Sequence, residues 1–366
     1  MIRLIFSSIL VLHGLLHLIG FAKEWNIGSH RLPDGKRLLE LTVATSRTAG
    51  ALWLVTGVLF ITAAILFILK KDWYWIPAVA GILISQTLIT IYWEDARYGT
   101  TVNVVILVVV IFAAAAMYFH RMAEREVKVL HEQARGNEIL ITEEKLSGLP
   151  ENVQRWLRKS DVTGHANPNL IRVAQKGRMR SKPDGKWMQF QAIQHFSIVP
   201  PSFVWEAQIK AGPLINIFGR DKFADGKGNM LIKPLAMFTV ANGSGKEVDQ
   251  GTLLRYMAEI PWFPQAAASD YLHWEQISDH QARATMAYGG TTATGIYSFN
   301  EKGDVSGFEA QRYGDFGGAY RMETWAVSVT GYKTFHSRRI GNSSEVTWKL
   351  KTGDFHWLKL EITKID

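Results

Sequence analysis

Cysteine is absent from all 366 residues. Its absence excludes a disulfide scaffold, thiolate metal sites, cysteine nucleophiles and dithiol redox chemistry. Charge is sparse as well, at 20% of residues, and the net +8 is spread along the chain. Residues 1–120 hold nine Lys/Arg against six Asp/Glu, and the remainder holds 32 against 27. Neither excess is dense enough for nucleic acid, and a mildly basic protein beside an anionic lipid surface is the simpler reading. No GxSxG, P-loop, Rossmann fingerprint or HExxH is present. No period of about 20–50 residues repeats, which removes propellers and solenoids. Asp221–Gly226 has the outline of a calcium loop, but Phe223 and Ile232 stand at ligand positions, so a hairpin is expected there.

Long uncharged runs are what the chain does have. Leu4–Ala22, Thr48–Leu69, Trp73–Trp93 and Thr100–Phe119 each carry no charge. About 20 apolar residues cross a hydrocarbon core as a helix, so four membrane spans are predicted. Trp73, Tyr74, Trp75, Tyr92, Trp93 and Tyr118 lie at segment ends, where amphipathic rings favour the headgroup layer. A cleaved signal peptide is the alternative for the first run, and His13 and His17 within it argue against that. Lys/Arg divide six against six between the two faces, so the positive-inside rule returns a tie. The closeness of Arg3, Lys70, Lys71 and Arg121 to span ends favours cytoplasmic termini and a cytoplasmic soluble domain. Pro33-Asp34-Gly35 reads as a turn, followed by a short surface helix over residues 37–43.

Ionisable groups in a span usually face a bundle interior, a cavity or a partner. His13 and His17, four apart, share one face of the first helix. They can ligate a metal or haem, contact a lipid or quinone headgroup, or hydrogen-bond to neighbouring helices. Gln86, with Ser85, lies near the middle of the third span and needs a partner, for which a helix-one histidine is a candidate. Asn103, after Thr100 and Thr101, opens the fourth span. Asp95 can cap that helix or pair with Arg97.

Beyond Arg121 the pattern changes. Glu124–Gly136 is polar and helical, Thr142-Glu143-Glu144 is a helix start, and Pro150 begins a helix with Val153, Trp156 and Leu157 as its apolar stripe. From Asn169 onward apolar residues take alternate places, as in Phe203, Trp205, Ala207, Ile209 and Ala211, which is the period of half-buried antiparallel strands. One helix, Gly251–Ile260, interrupts them and stops at Pro261 and Pro264. The expected architecture is a four-helix transmembrane domain (1–120), a helical connector (121–168) and an α+β soluble domain (169–366) dominated by a curved antiparallel sheet or half-barrel. Within the last, Arg255 and Glu259 sit at i and i+4, able to pair with each other or present a fork to an anion. Trp262 and Phe263 line an apolar cavity or close the core. Asp221, Arg255, Glu259 and Arg312 make one polar cluster if the fold gathers them.

The runs His13–Lys23, Gly50–Leu54, Ser85–Ile89 and Trp93–Thr100 resemble a bacterial multi-pass membrane family of unknown function, and the wider DoxX-like group of four-helix modules. Leu149-Pro150, Gly177-Arg178-Met179, Phe203-Val204-Trp205, Arg255-Tyr256, Glu259 and Pro261-Trp262 resemble that family's soluble domain. The resemblance implies architecture and no activity. The strand pattern also resembles periplasmic lipoprotein-carrier half-barrels, a likeness of fold alone that would place the domain outside.

Three functions follow, in order. The first is a membrane-anchored binding protein handling a lipid, isoprenoid or similar amphiphile, with His13, His17, Gln86, Asn103, Arg255, Glu259 and Trp262 as ligand-binding residues. The second is a structural or signalling adaptor that binds a protein partner. The third is a quinone- or haem-linked oxidoreductase. Membrane lipids are partners in all three, no nucleic acid is expected, and no cofactor is specified.

Overall fold

The computed structural model describes residues 2–27, 42–134, 136, 138–213 and 215–366. The turn and surface helix expected over residues 33–43 lie outside the described residues, apart from their end. Contacts divide the chain into two units, Met1–Tyr118 and Phe119–Asp366.

The helical unit contains α1 (Ile2–Glu24), α2 (Val43–Ile68), α3 (Trp75–Ile91), a short α4 (Trp93–Ala96) and the start of α5 (Gly99–Gln133). Four of these helices, all but α4, are long and apolar enough to cross a bilayer. Thr42 caps α2 by accepting from the Thr45 amide. Where α1 crosses α2 the backbones nearly touch. A Cβ on Gly57 would lie 2.8 Å from the Gly14 carbonyl oxygen, and one on Gly14 would lie 2.9 Å from that of Gly57. Small residues at such a crossing let helices approach in the absence of a hydrophobic drive within lipid. Phe6, Leu10, Phe60, Ala63, Ala64, Ala78, Ile106 and Val110 fill the interior beside it.

The polar helical pattern of residues 124–136 reads as either a continuation of the fourth span or a connector beyond it. The structure has the continuation: α5 runs unbroken to Gln133. The reason is a polar seat for its second half on the β unit. Glu126 pairs with Arg220 at 3.0 Å and with Lys222 at 2.8 Å, His120 meets Glu206 at 2.9 Å, and Phe119 packs on Phe218. Two short strands, β1 (Glu138–Leu140) and β2 (Ala166–Pro168), pair with each other and enclose α6 (Glu143–Ser147) and α7 (Glu151–Lys159). Thr142 caps α6 as its position suggests, while Pro150 stands just before α7 rather than inside its first turn. Val153, Trp156 and Leu157 are buried.

Thirteen antiparallel strands form the rest: β3 (Leu170–Met179), β4 (Met188–Ser197), β5 (Ser202–Lys210), β6 (Asn216–Ala224), β7 (Lys227–Pro234), β8 (Ala241–Gly243), β9 (Leu272–Ser278), β10 (Gln281–Tyr288), β11 (Thr291–Phe299), β12 (Val305–Asp315), β13 (Tyr320–Phe335), β14 (Arg338–Leu350) and β15 (Gly353–Ile365). Two meanders, β3–β8 and β9–β15, are joined where β3 pairs with β15, leaving β8 and β9 as edges, so the sheet is not closed. It curves all the same. The β6–β7 turn meets the β10–β11 turn so closely that a Cβ on Gly226 would fall 2.4 Å from the Gly289 oxygen. Both glycines have positive φ (76° and 57°), and Thr291 donates to the Gly226 carbonyl at 2.9 Å. Helix α8 (Lys246–Glu259) packs against β6, β7, β11 and β12, strands from both meanders. It starts five residues earlier than the apolar pattern suggested, because Asp249 is drawn in to accept from the Gly228 amide at 2.7 Å.

On the opposite face, His195 of β4 lies against His131 of α5, ring centres 5.5 Å apart. Burial, then His131 and Arg172, push its pKa down to about 4 from 6.5. Above pH 6.5 neither folded nor unfolded chain is protonated there, and stability is full. As pH falls toward 4 the unfolded chain takes up the proton first, so stability drains away over that window. With the ring partly solvated, about 1 kcal/mol is expected by pH 5, or roughly 2–4 °C. Melting of the full chain at pH 7.5 and 5 should show this slope, and His195→Gln should flatten it; parallel slopes would remove His195 as the cause.

Candidate functional site

Two cavities carry the candidate residues, one in each unit.

In the helical unit, His13 and His17 are buried among helices and their rings lie edge to face, 4.7 Å apart. The hydrogen bonds around them fix each proton. His17 Nδ1 lies 2.7 Å from the His13 carbonyl oxygen, which can only accept, so this nitrogen carries the proton. As a neutral imidazole, His17 then accepts at Nε2 from the Ser85 hydroxyl, at 2.9 Å. Having spent its one proton, Ser85 must accept from whatever faces it on Asn103, at 3.0 Å, and that atom is therefore the amide nitrogen. The same nitrogen donates to Gln86 Oε1 at 3.2 Å, and Gln86 donates to Thr100 at 3.1 Å. Asn103 Oδ1 is left to accept from His13 Nε2 at 2.9 Å. So His13, His17, Gln86 and Asn103 do converge, though Gln86 meets Asn103 and Thr100 rather than a histidine, and Ser85 takes the histidine's place. Asp95 pairs with Lys23 at 2.8 Å instead of with Arg97. Both nitrogens of His17 and Nε2 of His13 are committed, so this arrangement does not present the pair as a two-histidine ligand set. What remains is His13 Nδ1, buried and without a hydrogen-bond partner among the described residues. Among the described residues no group of three or more His, Asp or Glu is placed to hold a metal ion.

The network forms one wall of a cavity of about 330 Å³ bounded by His13, His17, Gly20, Trp53, Ile89, Tyr92 and Val102, with Lys23, Glu24 and Asp95 at one end. Trp53 lies over Gly20, where a Cβ would come within 2.5 Å of the indole. Its Nε1 is also buried without a partner among the described residues.

In the β unit, period-two strands put every second residue on the inner face, and most of those are apolar. Four are not. Gln175 on β3, Gln194 on β4, Asp221 on β6 and Arg312 on β12 all point inward, and α8 brings Arg255 and Glu259 to meet them. Arg255 donates to Asp221 at 2.6 Å, to Glu259 at 2.9 Å and to Gln194 at 3.3 Å, and lies 4.8 Å from the Trp205 ring centre. Gln194 donates to Glu259 at 2.7 Å, Gln175 to Gln194 at 2.9 Å, and the Trp205 indole to Gln175 at 3.2 Å. Burial opposes the Arg255 charge, but Glu259 and Asp221 outweigh it and hold its pKa above the usual value. Burial lifts Glu259, which shares that cation with Asp221, above the ordinary carboxylate range.

Arg312 stands apart. Its Nε donates to the Gly251 carbonyl at 3.1 Å, its guanidinium stacks 4.5 Å from Trp325, and it has no ion-pair partner among the described residues. Burial pushes it down to about 10, which leaves it charged at neutral pH. Sequence reading gathered Asp221, Arg255 and Glu259 correctly as possibilities but missed Gln175 and Gln194. The signal was there: a glutamine at an inward register between Ala192 and Phe196.

These polar groups edge an apolar cavity of about 220 Å³ walled by Phe190, Trp262, Phe308, Val327, Val346 and Leu358 among others. Trp262 thus both lines the cavity and belongs to the core. Trp325, Trp357 and Asp221 also line it, and their two indole nitrogens and one Asp221 oxygen are buried without hydrogen-bond partners among the described residues.

A family model described as a family of unknown function (DUF6544) matches residues 140–360, most of the β unit. Among solved structures, a LolA superfamily protein from Nitrosomonas europaea is 10% identical with a TM-score of 0.30, covering 54% of this chain and 86% of that one. A DUF1329 family protein from Desulfovibrio piger is 7% identical with a TM-score of 0.36, covering 58% and 90%. Overlaps this loose bear on neither ligand nor partner. No curated protein matches the sequence.

Proposed function

With the chain belonging to the DUF6544 family of unknown function, we propose that it is a membrane protein that binds an amphiphile, and that the β unit receives an apolar chain with a hydrogen-bond-accepting head. The observation that carries this reading is the cavity edged by Arg312. Its walls are largely apolar, and among its lining residues are Arg312, which has no ion-pair partner among the described residues, and Trp325 and Trp357, whose buried indole N–H groups have no acceptor there either. A buried cation and unsatisfied donors cost free energy in an isolated protein, and a carboxylate or phosphate ester would offset that cost. A volume of 220 Å³ decides the scale. Cavities of about 150 Å³ hold benzene, and drug-sized pockets start near 300 Å³, so one short chain or a chain end fits and a whole two-chain lipid does not.

The test is dodecanoate binding to the full chain in nanodiscs, by calorimetry against empty discs. Arg312→Gln should weaken binding about 10- to 150-fold, the worth of a charge-assisted contact. Val327→Trp, which fills the cavity, should abolish it. Wild-type protein that takes up no dodecanoate, or equal uptake by all three proteins, would sink the reading.

A further inference from the structure

The turns along one side of the β unit differ in make-up from the rest of its surface. In sheet order, the β7–β8, β5–β6, β3–β4, β14–β15 and β12–β13 turns follow one another on that side. The row bends back on itself, since a Cβ on Gly243 of β8 would lie 3.5 Å from the Tyr320 hydroxyl at the start of β13. These turns therefore form a rim. Six large apolar side chains are exposed at it: Ile215, Met237, Phe238, Val240, Tyr320 and Met322, with Phe238 at 58% and Val240 at 65%. Four turns on the other side, β4–β5, β6–β7, β11–β12 and β13–β14, expose one such side chain among the described residues, Val199. The β7–β8 turn is held in place, its Leu235 and Val240 amides donating to the Asn216 and Ile232 carbonyls at 2.8 and 3.0 Å.

The same rim is basic. Arg178, Arg180, Lys182, Lys186, Arg321 and Lys351 stand at these turns against Asp184, Asp315 and Asp354, and Asp315 accepts from the Gly318 amide of its own turn at 2.7 Å. None of the six cations has an ion-pair partner among the described residues. Lys176, Lys349 and Lys359 on the neighbouring strands, by contrast, pair with Glu361, Glu309 and Glu345. Arg178 and Arg180 lie 5.2 and 4.8 Å from the Trp187 ring centre, which holds both guanidinium groups at the β3–β4 turn. We propose that this rim docks on the headgroup layer of an anionic lipid membrane, with Phe238 and Val240 entering the acyl boundary and the β3–β4 turn lying against the phosphates.

Exposed apolar tips cost free energy in water and unpaired cations gain from an anionic field, and such a surface answers both. A second copy of the chain would bring a like-charged rim against this one. The course of α5 also places lipid on this side. Phe119, where the uncharged run stops, packs on Phe218, two residues into β6 from the rim. Farther along α5, Glu126 meets Lys222 and His131 meets His195, each nearer the other end of its strand. The helix thus reaches the β unit from the rim side.

The experiment uses the full chain in nanodiscs, and the absence of cysteine makes single labels simple. Thr239→Cys, between Phe238 and Val240, carries an environment-sensitive fluorophore; Glu301→Cys, exposed at the β11–β12 turn, carries the same label as control. Discs contain phosphatidylglycerol with phosphatidylcholine, or phosphatidylcholine alone, each with a trace of nitroxide-bearing lipid. The Thr239 label should shift to the blue and be quenched by nitroxide in the anionic discs, and far less in the neutral ones, while the Glu301 label does neither. Adding Lys182→Gln and Lys186→Gln, both exposed and unpaired, should lower the docking equilibrium about 30-fold, roughly fivefold for each charge. Phe238→Ser should lower it about tenfold with the charge unchanged. An unquenched Thr239 label in anionic discs overturns the proposal, as does equal quenching in both lipids with no response to the lysine changes. A blue shift without nitroxide quenching also overturns it, since protein rather than lipid would then cover the rim. None of these outcomes touches the dodecanoate result, which concerns the cavity inside the sheet.

Discussion

Replacing Arg255 with methionine is expected to lower the melting temperature of the β unit by roughly 6–20 °C. The estimate rests on the cost of removing one partner from a buried ion pair, about 3–5 kcal/mol, and on about 2–4 °C per kcal/mol for a unit of this size. Arg255 is the only strong donor to both Asp221 and Glu259 among the bonds described above. Without it two carboxylates face each other inside the sheet, with Gln194 left to satisfy one of them. The penalty comes from those carboxylates rather than from the lost arginine. Adding Asp221→Asn and Glu259→Gln to the methionine variant should therefore restore most of the melting temperature. Hydrogen exchange of peptides from α8 supplies the local measurement: fast exchange in the single variant and recovered protection in the triple. If the triple variant melts as low as the single one, the cluster is held by packing, including the stacking on Trp205 and Phe203, and not by charge.

The same cluster shows what could be read from the chain alone. Arg255 and Glu259 were legible because a helix sets their separation, and the i, i+4 rule needs no tertiary knowledge. Asp221, Gln194 and Gln175 reach them only through strand pairing, β6 to β5 to β4 to β3, and an alternating pattern does not say which strands are neighbours. In the membrane half, length and apolarity gave the spans, and spacing put His13 and His17 on one face. Their partners lie 68 and 90 residues away, and only the packed bundle assigns Ser85 to one histidine and Asn103 to the other. Whether α5 continues past Phe119 or gives way to a connector stayed open for a related reason. Residues 120–133 look solvated until Arg220, Lys222 and Glu206 are known to face them. Arg312 was the least legible. It matters for the partner it lacks, and a missing partner has no sequence signature.

The largest effect in the helical unit is expected at the α1–α2 crossing. Gly57→Leu puts a branched side chain where a single Cβ would already stand 2.8 Å from the Gly14 carbonyl oxygen. The obstacle is backbone, so no side chain can rotate away, and the helices must separate. Overpacking alone costs about 1–3 kcal/mol. Separation costs more, because His17 rides on α1 beside the contact, with its Cβ 3.6 Å from the position a Gly57 Cβ would take. Moving α1 stretches the His17–Ser85 and His13–Asn103 bonds together, each worth roughly 0.6–2 kcal/mol in a membrane. The expected result is loss of exchange protection in α1 and α2, while α8 and the strands of the β unit exchange as in wild type. Gly57→Ala carries the same Cβ 2.8 Å from the Gly14 carbonyl oxygen and should show the same loss in smaller degree, since it adds nothing beyond the Cβ. A leucine variant whose α1 and α2 keep wild-type exchange protection would mean that the histidine network tolerates a displaced α1.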